Sequence, residues 1–173
     1  MLSRVTKYIK KYNMLPEGCR ALIGVSGGMD SVALLHILCL LREKMGFELE
    51  AAHFNHGIRP ESAEEEGFVG ALCEKAGVPL HIGHADVPKL ARESHMSLET
   101  AAREARHGYF REGMAERRLS RLALAHHRDD QAETVLLRLI RGAGTAGLGA
   151  MAPAEESGIV RPLLCVGRED IRR

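Results

Sequence analysis

Tryptophan is missing from these 173 residues and aromatic side chains make up only 4% of them, which argues against a stacking platform for single-stranded nucleic acid. Cysteine is scarce too. The four present, Cys19, Cys39, Cys73 and Cys165, lie far apart with no CxxC pair. That spacing argues against a zinc ribbon, a redox dithiol or a closely spaced cluster site, and it fits reduced thiols in a cytosol. No apolar run approaches the ~18–20 residues that cross a bilayer. The N-terminal MLSRVTKYIKKYN lacks the apolar stretch of a secretory signal, so a cytoplasmic protein with no membrane partner is expected. Low-complexity linkers and internal repeats are also absent.

Net charge is nearly absent at +1, but it is unevenly spread. Arg4, Lys7, Lys10, Lys11 and Arg20 make the start of the chain basic, and six arginines between 103 and 121 do the same later, whereas 48–66 is acidic. Basic faces can attract phosphate backbones, although solvated helix faces explain such runs equally simply. What remains is ordinary globular material: 45% apolar and 27% charged residues, enough for one domain with a real core.

The apolar pattern alternates between short buried runs and helical periods. Strands are expected over 20–26, 47–54, 79–85, 121–127 and near 159–164, with helices over about 2–14, 30–45, 61–76, 97–118 and 130–141. Buried strands separated by helices predict an α/β fold, a Rossmann-like three-layer sandwich with a central, mostly parallel sheet. Ligands of such sheets sit beyond the carboxyl ends of the strands.

After the first strand comes Gly24-Val25-Ser26-Gly27-Gly28-Met29-Asp30-Ser31, opening directly into a helix. Adjacent glycines allow a tight turn and close approach of a ligand, and unpaired first-turn amides at the positive helix end suit a phosphate. Ser26 and Ser31 add hydroxyl donors. Asp30 would repel polyphosphate unless a cation bridged them, so a nucleotide here implies Mg2+; otherwise Asp30 is a plain helix-terminus acid. The loop is no Walker A. It does read literally as G-x-S-x-G, leaving a serine hydrolase with Ser26, Asp86 and His126 as an alternative.

Other strand ends carry further candidates. His53, Asn55 and His56 follow the second strand; a histidine there either faces a ligand or is a satisfied structural group, and His53 and Asn55 are taken as nucleotide-binding candidates. The fourth strand leads into His126-His127-Arg128-Asp129-Asp130-Gln131-Ala132-Glu133, where Asp130 and Glu133 share one side of a first helical turn. They either hold a metal or an ammonium group, or form a D-x-x-E capping box. Gly142–Gly147 is a literal GxGxxG, but it follows a helix instead of a strand, so we reject a dinucleotide fingerprint and expect a loop that closes on substrate.

SGGMDS (26–31) resembles the PP-loop, S-G-G-x-D-S, of the N-type ATP pyrophosphatases. Joined with HFNHGIR (53–59), AAREARHGYF (101–110), LAHHRDDQAETVLLRLIRGAG (124–144), GLGAM (147–151) and IVRPLL (159–164), the chain resembles the tRNA(Ile)-lysidine synthase family over nearly its whole length. His107 and Ala150 depart from that family's usual Tyr and Gly. The resemblance implies an adenine nucleotide alpha hydrolase-like fold and a PP-loop ATP-pyrophosphatase domain over 1–173, cut short before the family's tRNA-binding regions. It implies a ligase that adenylates C2 of the wobble cytidine of a CAU-anticodon tRNA(Ile) with ATP and Mg2+, releasing pyrophosphate. L-lysine then displaces AMP to leave lysidine, and a homodimer is an expected assembly.

On that reading Ser26, Gly27, Gly28, Met29, Asp30, Ser31, His53 and Asn55 bind the nucleotide, and Asp30 and Asp130 hold Mg2+. Arg103, one turn from Arg106, supplies the transition-state cation. Asp130 and Glu133 receive lysine, with His126 or a carboxylate as base. The nearest rival is a tRNA cytidine 2-thiolating enzyme, and a further one is a non-catalytic adenine-nucleotide module.

Overall fold

The computed structural model describes residues 1–57, 62–142 and 149–172. Along them run α1 (Leu2–Lys11), β1 (Arg20–Gly24), α2 (Met29–Met45), β2 (Glu48–Asn55), α3 (Ser62–Ala76) and β3 (Leu80–His84). Then come α4 (Val87–Glu93), α5 (Leu98–Arg117), β4 (Arg121–Ala123), α6 (Arg128–Ile140), β5 (Ile159–Val160), a 3-10 helix (Pro162–Cys165) and α7 (Arg168–Arg172). The five strands pair in parallel in the order β3-β2-β1-β4-β5. The expected Rossmann-like sandwich is what forms.

Period-two alternation explains the layers. Ala21, Ile23 and Val25 turn to one face of the sheet, where they meet Val5 and Ile9 of α1, Leu34, Leu35 and Leu38 of α2, and Val69 of α3. Leu22 turns to the other face with Ala52 and Leu122, against Phe110 of α5. Phe54 extends that second face towards Val87 and Ala91 of α4. Each fully buried Leu or Ile contributes about 1.5–3 kcal/mol, and the central strand β1 is sealed on both sides because it draws on both clusters.

Several boundaries differ from the sequence expectation for identifiable reasons. Helix α4 was not expected; Asp86 caps it by accepting from the Lys89 amide at 2.9 Å, and Pro88 lies in its first turn. Helix α6 begins at Arg128, two residues early, because the imidazole of His127 acts as its cap. Strand β5 stops at Val160 because Pro162 lacks an amide and starts the 3-10 turn. No described helix is long and apolar enough to cross a membrane.

The order of the strands creates the crevice that matters. From β1 the chain adds β2 and β3 on one side, then returns to add β4 and β5 on the other. The loops leaving β1 and β4 therefore diverge, and a ligand can sit between them. Their register, with Ile23 opposite Ala123, brings the two loops to one level.

Close packing on the second face makes one substitution informative. A Cβ on Gly83 of β3 would lie 2.5 Å from the Tyr109 ring of α5. We expect Gly83→Ala to lower unfolding stability by about 1–3 kcal/mol, seen as a lower urea midpoint at unchanged slope. An unshifted midpoint would show that the ring is not held against the strand.

Candidate functional site

Strand β1 ends at Gly24, which packs tightly: a Cβ there would come within 3.1 Å of Phe110 and 3.2 Å of Leu124. The chain then turns through Gly27, whose φ of +83° suits glycine, and Gly28 opens α2 without any side-chain cap. The hydroxyl of Ser31 donates to the Gly28 carbonyl at 2.8 Å and accepts the Ser26 amide at 3.2 Å. That leaves the Ser26 hydroxyl donating to Ser31, 3.2 Å away, while it accepts the Gly28 amide at 3.4 Å. The first-turn amides of α2 thus stay open to an anion.

Around this turn lies a cleft of about 230 Å3, lined by Gly24, Ser26, Gly28, Asp30 and Ser31, by Arg106 and Phe110 of α5, and by Ala125 and His126 beyond β4. Its polar groups are short of partners. Asp30 Oδ1 and His126 Nδ1 are buried with no hydrogen bond among the described residues. Burial and then the neighbouring Arg103 depress the Arg106 guanidinium, and among the described residues no carboxylate pairs with it. Burial, followed by Arg161, pushes His126 down to about 4, against the upward pull of Asp130. His56 is lowered by burial, Arg106 and His53 in the same way, only Glu65 opposing. Uncharged imidazoles crowded beside an arginine without a counterion describe a place prepared for negative charge.

The remaining candidates fall into three groups. His53 is buried, and its Nδ1 donates to the Val25 carbonyl at 2.8 Å, bracing the strand end beneath the loop. Asn55 has both ends of its amide engaged, donating to Glu66 and accepting the Gly57 amide at 2.8 Å, beside a separate hollow with His84 and Asp86. Arg103 is exposed and lines a broader polar cavity of about 900 Å3 with His107, Arg111 and Arg141. Of the two arginines one turn apart, it is Arg106 that reaches the cleft.

At the mouth of β4, the expected capping box joins different residues. His127 Nδ1 accepts the Asp130 amide at 3.3 Å, and Asp130 Oδ2 accepts the His127 amide at 2.8 Å, so the box runs from 127 to 130. Glu133 is exposed one turn further on. Asp130 keeps its second oxygen, Oδ1, for another partner. Arg161 is buried and paired with Glu155 at 2.6 Å while donating to the Ala152 carbonyl at 2.8 Å. No hydrolase triad assembles, because the hydroxyl of Ser26 is bonded to Ser31 and Asp86 caps α4. The GxGxxG run at 142–147 and residues 58–59 of the HFNHGIR segment fall outside the described residues, apart from Gly142.

Among the described residues no group of three or more His, Cys, Asp or Glu side chains could hold a metal unaided. The fit for Mg2+ is of another kind. A buried carboxylate oxygen without a donor, on Asp30, calls for a cation, and Mg2+ takes one or two protein carboxylates with the rest from phosphate and water.

The family model for the PP-loop domain matches residues 1–173. The chain is 38% identical over 174 residues to the tRNA(Ile)-lysidine synthase of Clostridium acetobutylicum, covering 100% of this chain and 38% of that protein. It is 43% identical over 171 residues to the same enzyme of Bacteroides thetaiotaomicron, covering 98% of this chain and 39% of the relative. This chain therefore spans well under half the length of these relatives. Among solved structures, the U34-tRNA thiolase NcsA of Methanococcus maripaludis, which carries a 4Fe-4S cluster, superposes with a TM-score of 0.81 at 19% identity, over 98% of this chain and 61% of that one. The NH3-dependent NAD synthetase of Campylobacter jejuni gives 0.64 at 15% identity, over 98% and 68%. At such identities the likeness shows the fold.

The depressed imidazole has a consequence for stability. Between its ordinary 6.5 and about 4, the unfolded chain binds a proton at His126 that the folded chain refuses. Stability from this residue is complete above pH 6.5 and is lost as pH falls towards 4. His56 and His107, also lowered, add to the same slope. We expect His126→Gln to flatten the fall in urea midpoint between pH 7 and 4.5; an unchanged pH slope would show that the imidazole is not desolvated.

Proposed function

The chain belongs to the PP-loop domain family, and from that premise we propose that it is the ATP-using, adenylating part of a tRNA(Ile)-lysidine synthase acting in the cytoplasm. One observation carries the proposal. At the switch point of the sheet, uncapped helix amides, an arginine without a counterion and an unpartnered carboxylate oxygen converge on one cleft. A triphosphate with its cation would complete all three at once.

In the reaction proposed, the C2 oxygen of the wobble cytidine attacks the α-phosphorus of ATP, and the bond to pyrophosphate breaks. The ε-amine of lysine, having lost a proton, then attacks C2, and AMP departs. The first step needs positioning and charge neutralisation more than covalent help from the protein. Ser26, Gly27, Gly28, Met29 and Ser31 present amides and hydroxyls to the pyrophosphate portion. Asp30 and Asp130 would hold Mg2+, which supplies charge neutralisation between carboxylates and polyphosphate when bound. Arg106 is the cation placed to meet developing charge, and Arg103, on the adjoining cavity, is placed to meet the tRNA. Glu133, exposed and acidic, is the residue proposed to receive the lysine ammonium. His126 is uncharged near neutral pH and serves as a hydrogen-bonding group at the reacting phosphate; at about 4 it is too weak a base to strip a lysine ammonium by itself.

The thiolating alternative has less to stand on. Its sulfur chemistry would call for a cluster or a dithiol, yet Cys19 and Cys73 are buried apart and Cys39 and Cys165 lie on other elements. None of the four lines the cleft.

Three substitutions test the assignment when the chain is supplied with ATP, labelled lysine and a CAU-anticodon tRNA(Ile). Asp30→Ala should cut ATP-dependent adenylation by about 10²-fold or more with an unchanged circular dichroism spectrum; retained activity would remove Asp30 from the site. Arg106→Ala should weaken binding of an ATP analogue by about 10- to 100-fold, as for a lost charged hydrogen bond, and more than Arg103→Ala does. The reverse order would return the role to Arg103. Glu133→Gln should spare adenylate formation and depress lysine transfer; equal loss of both would deny it a lysine-specific role.

A further inference from the structure

His127 is fully buried, and both of its ring nitrogens face groups that the site depends on. Nδ1 lies 3.3 Å from the Asp130 amide, with geometry that makes it the acceptor. A backbone N–H can only donate, so Nδ1 must present its lone pair. Asp129 and Asp130 also bring carboxylate oxygens to 3.8 and 3.4 Å of Nδ1, but both have donors elsewhere: the Arg168 amide at 2.6 Å and the His127 amide at 2.8 Å. A proton on Nδ1 would leave the Asp130 amide facing an N–H and would turn the Nε2 lone pair onto the Asp30 carboxylate. The proton therefore belongs on Nε2.

Nε2 is buried without a hydrogen bond among the described residues, and it faces Oδ2 of Asp30 at 3.5 Å; Oδ1 of Asp30 is likewise buried and unpartnered. We infer that His127 is a positioning residue: one imidazole, fixed as the Nε2–H tautomer by the cap of α6, turns its N–H towards Oδ2 of Asp30 and so orients the carboxylate with Oδ1 left free for a cation. The ring also couples the starts of α2 and α6, setting Asp30 and Asp130 on either side of it. This rests on the reading of Asp30 as a cation-holding carboxylate and adds the group that orients it. Partners of this kind, one step behind the ligand, typically change metal affinity or activity by about 10- to 100-fold.

The tautomer is measurable without any ligand. In chain labelled with 15N-histidine, long-range proton–nitrogen correlation should show His127 protonated at Nε2 only, with that signal shifted in Asp30→Asn. An Nδ1–H tautomer, or no response to Asp30→Asn, would overturn the inference. Two variants then separate capping from positioning. His127→Asn keeps an acceptor at the cap position but cannot reach Asp30. It should retain its melting temperature and bind Mn2+ with α,β-methylene ATP about 10- to 100-fold more weakly. His127→Gln places an amide N–H near the Nε2 position and should lose stability while recovering most of that binding. Binding that falls only in step with stability across both variants would reduce His127 to a helix cap. The two readings fail separately: the wrong tautomer overturns the positioning role even where nucleotide binds, whereas wild-type chain that binds no Mn2+ with the analogue overturns the nucleotide reading and, with it, the purpose of the positioning.

Discussion

Two helices, α2 and α6, begin at the gap where the strand order reverses, and the protein leaves the polar groups of that gap incomplete. Elsewhere, charged side chains find opposite partners: Arg161 has Glu155 and the Ala152 carbonyl, and Arg20 bridges Glu48 and Glu50 on β2. In the cleft, Oδ1 of Asp30 and Nδ1 of His126 have no hydrogen-bond partner, and Arg106 has no counterion, among the described residues. An unpaired buried polar atom costs about 1–3 kcal/mol, so a fold that concentrates several at one point keeps them for a ligand. The apolar clusters on both faces of β1 supply the stability that lets this corner remain unsatisfied.

Much of the fold was legible because its signals repeat. Alternating Ala21, Leu22 and Ile23 marks a strand sealed on both faces, and the Gly27-Gly28 turn marks its end. The misses have local causes. Helix α4 is short enough to escape a periodicity search, although Asp86 and Pro88 announce it. The start of α6 was placed late because imidazole is outside the usual set of capping side chains, Ser, Thr, Asp and Asn. Asp130 and Glu133 looked like a pair at i and i+3, yet the cap had already taken Asp130 through His127.

The choice between Arg103 and Arg106 shows what spacing alone cannot decide. Both sit on α5, three residues apart, and composition gives them equal claim. The phase of the helix separates them: Arg106 lies four residues before Phe110, which is buried against Gly24, so the two share the face that looks at the loop. Arg103 falls on the flank with His107 and Arg111. His53 and Asn55 teach the complementary lesson. Polar residues at a strand's carboxyl end can be the ligand's partners or the loop's scaffolding, and here their hydrogen bonds go to Val25, Gly57 and Glu66.

Backbone likeness by itself points in several directions, because one doubly wound sheet carries a tRNA thiolase and an NH3-dependent NAD synthetase as readily as this chain. Thiolate or cluster chemistry needs soft ligands gathered within bonding distance of one point, and none of the four cysteines is among the residues that line the cleft. An amine nucleophile needs no such gathering. It needs an acidic place to dock as an ammonium and a route for its proton, and Glu133, exposed near the start of α6, is the acid we propose for the first of these.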